Sequence, residues 1–446
     1  MKKILIIAAL ISLTINLFAQ DSTTSYSLDD CIKYALENST SIKNADLDYQ
    51  KSKYKVKETV ASGLPQVNGK WDVLYNINLQ KQFIPASVFD PTAPAGLIVP
   101  AAFGLKYSSN ANFTVNQLIF DGSYLVGLKA AKEFTKLYDK TTSKTKTDIY
   151  VNVSKAYYLV LITKDRVGQL ERSANLLEQL STETRAFLNN GLAEETDLKR
   201  IKVNSNNINV ELQKLEAFYK LTKDMLKFQM GLPLNNDITL SDSLELFLVD
   251  VVKTEEQPSF DTRPEFQMLQ TQQRLNELNL SNERIRALPS LGAFFTAGIN
   301  VGANRFGDAF KFSNYKEYSR AGVSLNVPIF SSFRRKQRIN QSKVDINKTM
   351  NDLEMLKSSI VLESIKARNA LNNSLDILEV RKENMDLAQE VYEHTKLKNQ
   401  EGLVSSFELL SAQTDLKTAQ TEYYNALYDV LVAKIDLEKA NGKINN

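Results

Sequence analysis

The chain has 446 residues, 43% hydrophobic and 24% charged, enough to bury a large core, which excludes both a disordered chain and a minidomain. Its 55 Lys and Arg against 52 Asp and Glu leave +3, without the basic excess a nucleic-acid binder needs, so no nucleic-acid partner is expected. One cysteine (Cys31) and one histidine (His394) exclude a disulfide framework, a His/Cys zinc cluster and a His-based triad; neither metal, cofactor nor catalysis is expected.

Met1-Lys2-Lys3, an apolar stretch from Ile4 to Phe18 and small Ala19 before polar Gln20-Asp21-Ser22 follow the order of a secretory signal peptide, residues 1–19. Read instead as an anchor, the stretch is short of the ~20 residues a span needs and is interrupted by Ser12, Thr14 and Asn16. Cleavage removes Lys2 and Lys3 and leaves a charge near +1. Cys31 follows Leu28-Asp29-Asp30, which is not a lipoprotein cleavage sequence. No later segment is long and apolar enough for a membrane helix, so a membrane crossing falls to strands.

Residues 20–230 read as a first structural repeat. A helix-like segment ends at Leu64-Pro65, and a hairpin over 66–120 follows. Val67, Gly69, Trp71, Val73, Tyr75, Ile77 and Leu79 alternate with Gln66, Asn68, Lys70, Asp72, Leu74, Asn76 and Asn78. Tyr107, Ala111, Phe113, Val115 and Ile119 oppose Ser108, Asn110, Asn112, Thr114 and Asn116 in a second strand. A soluble sandwich alternates in the same way. A membrane barrel is favoured by the small uncharged polar face and by aromatics near strand ends: Trp71, Tyr75, Phe83, Tyr107, Phe306, Tyr315 and Tyr318.

All ten prolines lie outside 101–232 and 329–446; glycine appears between 128 and 230 only at Gly168 and Gly191, and between 323 and 441 only at Gly402. Proline costs about 3 kcal/mol inside a helix, so each tract predicts long helices, broken at Gly191 in the first and Gly402 in the second. After Gly191 a heptad runs Leu198, Ile201, Ser205, Ile208, Leu212, Leu215, Tyr219, Thr222, Leu226. Residues 231–263 carry no sustained helical stripe and read as a connecting segment.

Residues 264–446 repeat the order: helix, Leu288-Pro289, a hairpin over 290–330 ending in Pro328-Ile329-Phe330, then a helix pair with its break at Gly402-Leu403. The apolar positions are Leu291, Ala293, Phe295, Ala297, Ile299 and Val301, then Ala321, Val323, Leu325, Val327 and Ile329. Pro65, Pro289 and Pro328 mark the junctions between helix and strand. The last helix carries Leu409, Ala412, Leu416, Ala419, Tyr423, Ala426, Val430, Ala433, Leu437 and Ala440 at heptad spacing. Its partner tract runs Ala367, Leu371, Ser374, Leu378, Arg381, Met385, Ala388, Tyr392, with Arg381 out of place for a dry seam. Seventy-one residues separate Phe120 from Gly191 and seventy-two Phe330 from Gly402, about 105 Å each as unbroken helix. Four strands cannot close a membrane barrel, whose smallest size is about eight, and an open sheet edge cannot face lipid. The strands must be pooled among copies; three copies make twelve.

The order of these features resembles the TolC-type outer-membrane efflux proteins, on the opening phrase Ser27-Leu28-Asp29-Asp30-Cys31-Ile32-Lys33-Tyr34-Ala35-Leu36, on Val327-Pro328-Ile329-Phe330, and on Gly402-Leu403 with Glu408-Leu409-Leu410 and Ala412. The resemblance covers nearly the whole mature chain. It implies a mainly α chain with a membrane β-barrel portion: a long coiled-coil helical barrel plus four strands per chain completing a twelve-stranded trimeric barrel. It implies a homotrimer in outer-membrane lipid with a periplasmic extension, acting as the passive duct of an efflux or type I secretion system. Its partners would be a periplasmic adaptor and, indirectly, an inner-membrane RND or ABC pump. Extracellular loops would be Gln80 to Lys106 and Asn304 to Tyr318, and 231–263 would join the C-terminal end in a band around the tunnel. Gly191, Leu192, Gly402 and Leu403 would form the periplasmic tips that meet the adaptor, with Asp197 and Glu408 at the gate. Ser411 stands where some members have a second acid, and Asn399 and Val404 where the best-known member has a Tyr and Arg latch. The competing reading from composition alone is a secreted coiled-coil scaffold or adhesin. An enzyme is disfavoured, because no base, nucleophile and orienter converge around His394.

Overall fold

The computed structural model describes residues 24–191, 193–248 and 257–444. The signal-peptide reading over 1–19, Leu192, and residues 249–256 of the connecting segment lie outside the described residues. In chain order the elements are β1 (Thr24–Tyr26), α1 (Leu28–Asn38), α2 (Thr40–Ala61), β2 (Gln66–Tyr75), β3 (Lys81–Pro85), β4 (Ile98–Ala102) and β5 (Tyr107–Phe120). Then come α3 (Gly122–Asn189), α4 (Glu195–Met230), β6 (Ile238–Leu240), α5 (Leu244–Leu248) and α6 (Pro264–Ile285). The chain ends in β7 (Ser290–Ala303), β8 (Lys316–Asn326), α7 (Arg334–Gln400) and α8 (Ser406–Ala440). Two compact units result, one from the described parts of Met1–Tyr49, Tyr138–Gln270 and Asn351–Asn446, the other from Gln50–Leu137 and Thr271–Met350.

The second unit holds a four-stranded antiparallel sheet in the order β2-β5-β7-β8. Its register lines up the alternating residues: Val67, Val115, Phe295 and Ala321 form one apolar row, and Gly69, Phe113 and Ala297 the next. Because the side-chain period is two, this register puts Asn68, Thr114 and Thr296 together on the other face, where the two threonine hydroxyls lie 3.1 Å apart. Val67, Trp71, Val73, Val323 and Leu325 are exposed on the apolar face, which is covered only at its far end, where Val301 and Ala303 are buried and Tyr107 packs on Phe306. β2 and β8 are the two unpaired edges of this sheet.

Three strand expectations need correction. β2 stops at Tyr75, leaving Ile77 and Leu79 outside it; Asn76 turns its side-chain amide onto the Leu105 carbonyl, and 80–106 folds back as a separate β3–β4 hairpin. A bulge between Leu118 and Phe120 places Phe120 rather than Ile119 opposite Leu291. β8 begins at Lys316 and ends at Asn326, so Val327, Pro328, Ile329 and Phe330 lie past the ladder. Pro328 has no N–H to donate to it.

In the first unit, α3, α4 and α8 bury their stripes against α1 and the connecting segment. Leu28, Cys31, Ile32 and Ala35 meet Val153, Tyr157, Val160 and Leu161 of α3, Leu226 and Met230 of α4, Ile238, Leu244, and Leu427, Leu431 and Ile435 of α8. The Leu198–Leu226 heptad is buried or half-buried throughout, as is the seam from Leu409 to Ala440. Ala367 and Leu371 of α7 close on Val430, Ala433, Leu437 and Ala440. Arg381 is accommodated because its guanidinium pairs with Glu422 of α8. Ser27 caps α1 in a capping box with Asp30, and the Tyr157 hydroxyl and Leu28 N–H both donate to the Asp242 carboxylate, 2.9 Å each.

Candidate functional site

Two helix turns, each holding a glycine in the left-handed conformation, lie where the sequence places its helix breaks. α3 ends before Gly191 and α7 before Gly402, and both glycines sit at φ +74. An L side chain is strained in that conformation, and the space around each glycine is open, so the backbone alone explains the residue type. At the second turn the Gly402 N–H donates to the Asn399 carbonyl at 3.0 Å and the Leu403 N–H to the Lys398 carbonyl at 2.8 Å, the paired closure of a Schellman turn. Asn399 also donates its side-chain amide to the Val404 carbonyl at 3.0 Å. The two residues standing at the latch positions thus bond to each other and brace their own turn.

The helices then restart. Ser405 caps α8 by accepting from the Glu408 N–H at 3.3 Å, and Glu194 precedes α4. Glu195 and Asp197 lie in the first turn of α4 and Glu408 in the first turn of α8, where the positive end of a helix favours carboxylates. The acids therefore have a local reason for their place. Asp197 is half-buried and Glu408 exposed, and among the described residues no hydrogen bond joins them.

Below the turns, Leu180 of α3, Ile201 of α4, Tyr392 of α7 and Leu409, Ala412 and Leu416 of α8 share one apolar cluster. Burial, helped by Glu393, pushes the Tyr392 hydroxyl up to about 12. Arg200 of α4 stacks on the Phe407 ring of α8 at 5.3 Å, and Lys417 pairs with Glu211 at 2.6 Å. These ties between the two helix pairs were not read from the sequence, because a lone cation and a lone aromatic show no partner until the helices are packed. A polar groove of about 620 Å³ runs between α3 and α4, lined by Glu171, Asn175, Glu178, Arg185 and Asn209. Leu403, Phe407 and Phe187 are apolar and exposed at the turns. Pro65 and Pro289 lie between helix and strand (α2 to β2, α6 to β7), and Pro328 between β8 and α7. His394 is exposed, and among the described residues no group of His, Cys, Asp and Glu could hold a metal ion.

Residues 259–443 match the family model described as outer membrane efflux protein. The chain is 22% identical over 349 residues to the outer membrane protein TolC of Vibrio cholerae, covering 75% of this chain and 77% of that protein. Against TolC of Escherichia coli it is 21% identical over 369 residues, covering 76% and 70%. Among solved structures, the Campylobacter jejuni CmeC outer membrane channel superposes with a TM-score of 0.70 at 15% identity, over 93% of this chain and 85% of that one. The open state of the Neisseria gonorrhoeae MtrE outer membrane channel gives 0.70 at 15%, over 93% and 88%.

Proposed function

We propose that this chain is a TolC-type outer-membrane efflux protein, seated in the outer membrane with a periplasmic helical extension, and acts as a passive exit duct. The observation that carries the reading is the sheet: four strands, both edges unpaired, and an apolar face exposed on a single chain. Unpaired backbone groups cannot face hydrocarbon, so copies of the chain pool their strands, and three supply twelve. The helices support the same assembly. Beside its buried heptad α4 exposes Val203, Val210, Leu221, Met225 and Phe228, and α7 exposes Ile377, Val380, Leu387 and Val391. Such stripes suit neighbouring copies.

In this reading the turns at Gly191 and Gly402 are the periplasmic tips. Leu403, Phe187 and Phe407, exposed near the two turns, offer apolar contacts to a periplasmic adaptor, and an RND or ABC pump supplies the energy. Asp197 and Glu408 ring the constriction. No catalytic step is assigned to the chain. The test is drug or dye efflux in a strain relying on this chain. Gly402→Pro, which removes a turn donor and forbids φ +74, and Leu416→Asp, which buries a charge in the tip cluster, are both expected to abolish efflux. Normal efflux in both variants would refute the tunnel assignment, and a freely soluble elongated monomer would favour the scaffold reading instead.

A further inference from the structure

The junction between β8 and α7 differs from its counterpart in the first half of the chain. After β5 the chain passes through Phe120-Asp121-Gly122, the Asp121 carboxylate accepts from the Tyr124 N–H at 3.0 Å, and the helix opens with Tyr124, Leu125, Val126 and Leu128. The equivalent places in the second half read Phe330-Ser331-Ser332, then Arg334, Arg335, Lys336 and Arg338. The repeat thus forms this junction without cations in one half, and places four within five residues in the other. The first turn of a helix favours carboxylates, so the four cations are not there to stabilise α7.

The preceding loop is apolar and outward. Ile329 is 91% exposed, Phe330 74% and Phe333 68%, with the two rings packed edge to face at 5.8 Å. Ser332 and Phe333 both hold positive φ, 48° and 60°, a conformation that costs non-glycine residues energy and turns the Phe333 side chain outward beside Phe330. This end of the sheet is the one from which the helices leave, and so the periplasmic boundary of the membrane.

In this unit Glu58 pairs with Lys55 at 2.8 Å, Glu283 with Arg286 at 2.9 Å and Glu133 with Lys136 at 2.9 Å, while Asp121 accepts from the Tyr124 N–H, and among the described residues no ion pair joins an acid to Arg334, Arg335, Lys336 or Arg338. Along α7 the first acid is Asp345. Four cations beside an exposed apolar loop complement a molecule that carries both an anionic head and apolar chains. We propose that residues 329–338 form a binding site for anionic glycerophospholipid of the periplasmic leaflet. Ile329, Phe330 and Phe333 enter the acyl region, and Arg334, Arg335, Lys336 and Arg338 hold headgroup phosphates, whose oxygens suit the planar guanidinium fork. The inference rests on the outer-membrane placement of the chain.

Native mass spectrometry of the full-length protein in detergent, offered phosphatidylglycerol or phosphatidylcholine of matched acyl chains, tests it. The wild type is expected to retain phosphatidylglycerol about tenfold over phosphatidylcholine, and 0.5 M NaCl, at roughly a 4 Å screening length, to cut that preference. R334Q/R335Q/K336Q/R338Q should bring it to parity, whereas F330S/F333S should weaken retention of both lipids. Free glycerol phosphate should not displace the lipid. Equal retention by the wild type, a preference indifferent to salt, displacement by glycerol phosphate, or an unchanged preference in the quadruple variant would each overturn the site. Recovery of the wild type as a soluble monomer would instead remove the membrane placement itself, so the two failures are told apart.

Discussion

Arg263 is a charge taken inside the helical unit, and its neighbours show what it does there. Its guanidinium donates to the carbonyls of Lys439 and Ala440 at 3.1 and 2.9 Å and pairs with Glu363 and Glu265. It closes the C-terminal end of α8, where a helix leaves carbonyls without partners. Arg263→Met would strand those carbonyls, while the two carboxylates, both partly exposed, can rehydrate. The expected loss is about 2–3 kcal/mol, read from denaturant melts. Glu408 is the opposite case, an exposed acid whose helix would survive without it. Glu408→Ala should leave assembly intact and lower the cation preference of the single-channel current; an unchanged reversal potential would remove Glu408 from the gate.

At the scale of the element, α8 explains why one helix carries two apolar stripes. Val430, Ala433, Leu437 and Ala440 face α7, while Leu427, Leu431 and Ile435 enter the core shared with α1 and α3. A heptad reading finds the first stripe and passes over the second, which is offset by one residue. Glu438 continues the second stripe, seven residues after Leu431 and three after Ile435. Burial pushes its carboxyl above the usual range, against the opposing pull of Lys434 and Lys443. A carboxyl raised in the folded state binds its proton more tightly there. Its favourable contribution is therefore complete below the unfolded value and is lost as pH rises through the folded one. Glu438→Gln should lose less stability than the wild type between about pH 5 and about pH 8, as read from thermal melts at both ends.

At the scale of the whole molecule, the proposed duct requires copies of the chain to close the open sheet. Val323 on edge strand β8 lies on the apolar face and is exposed in a single chain. In lipid a lysine at such a position costs about 2–4 kcal/mol near mid-membrane. Val323→Lys should reduce the heat-modifiable oligomer recovered in detergent and lower conductance in planar bilayers, while the helical content seen by circular dichroism stays close to that of the wild type.

Much of this was set by the chain alone. Proline placement, the glycines at 191 and 402 and the two heptads depend only on local backbone cost and on the 3.6-residue period, so helix extents and turns were legible before any packing was known. Alternation likewise located the four strands, yet it overran at Ile77, Leu79, Val327 and Ile329, because the end of a strand is decided by which backbone groups find partners across the sheet. Arg381 looked misplaced until Glu422 was seen opposite it. The tie from Arg200 to Phe407, the engagement of Asn399 with Val404 and the second stripe of α8 belong to the tertiary structure. Periodicity sets which side of an element is apolar; only the packed arrangement sets which partner that side meets.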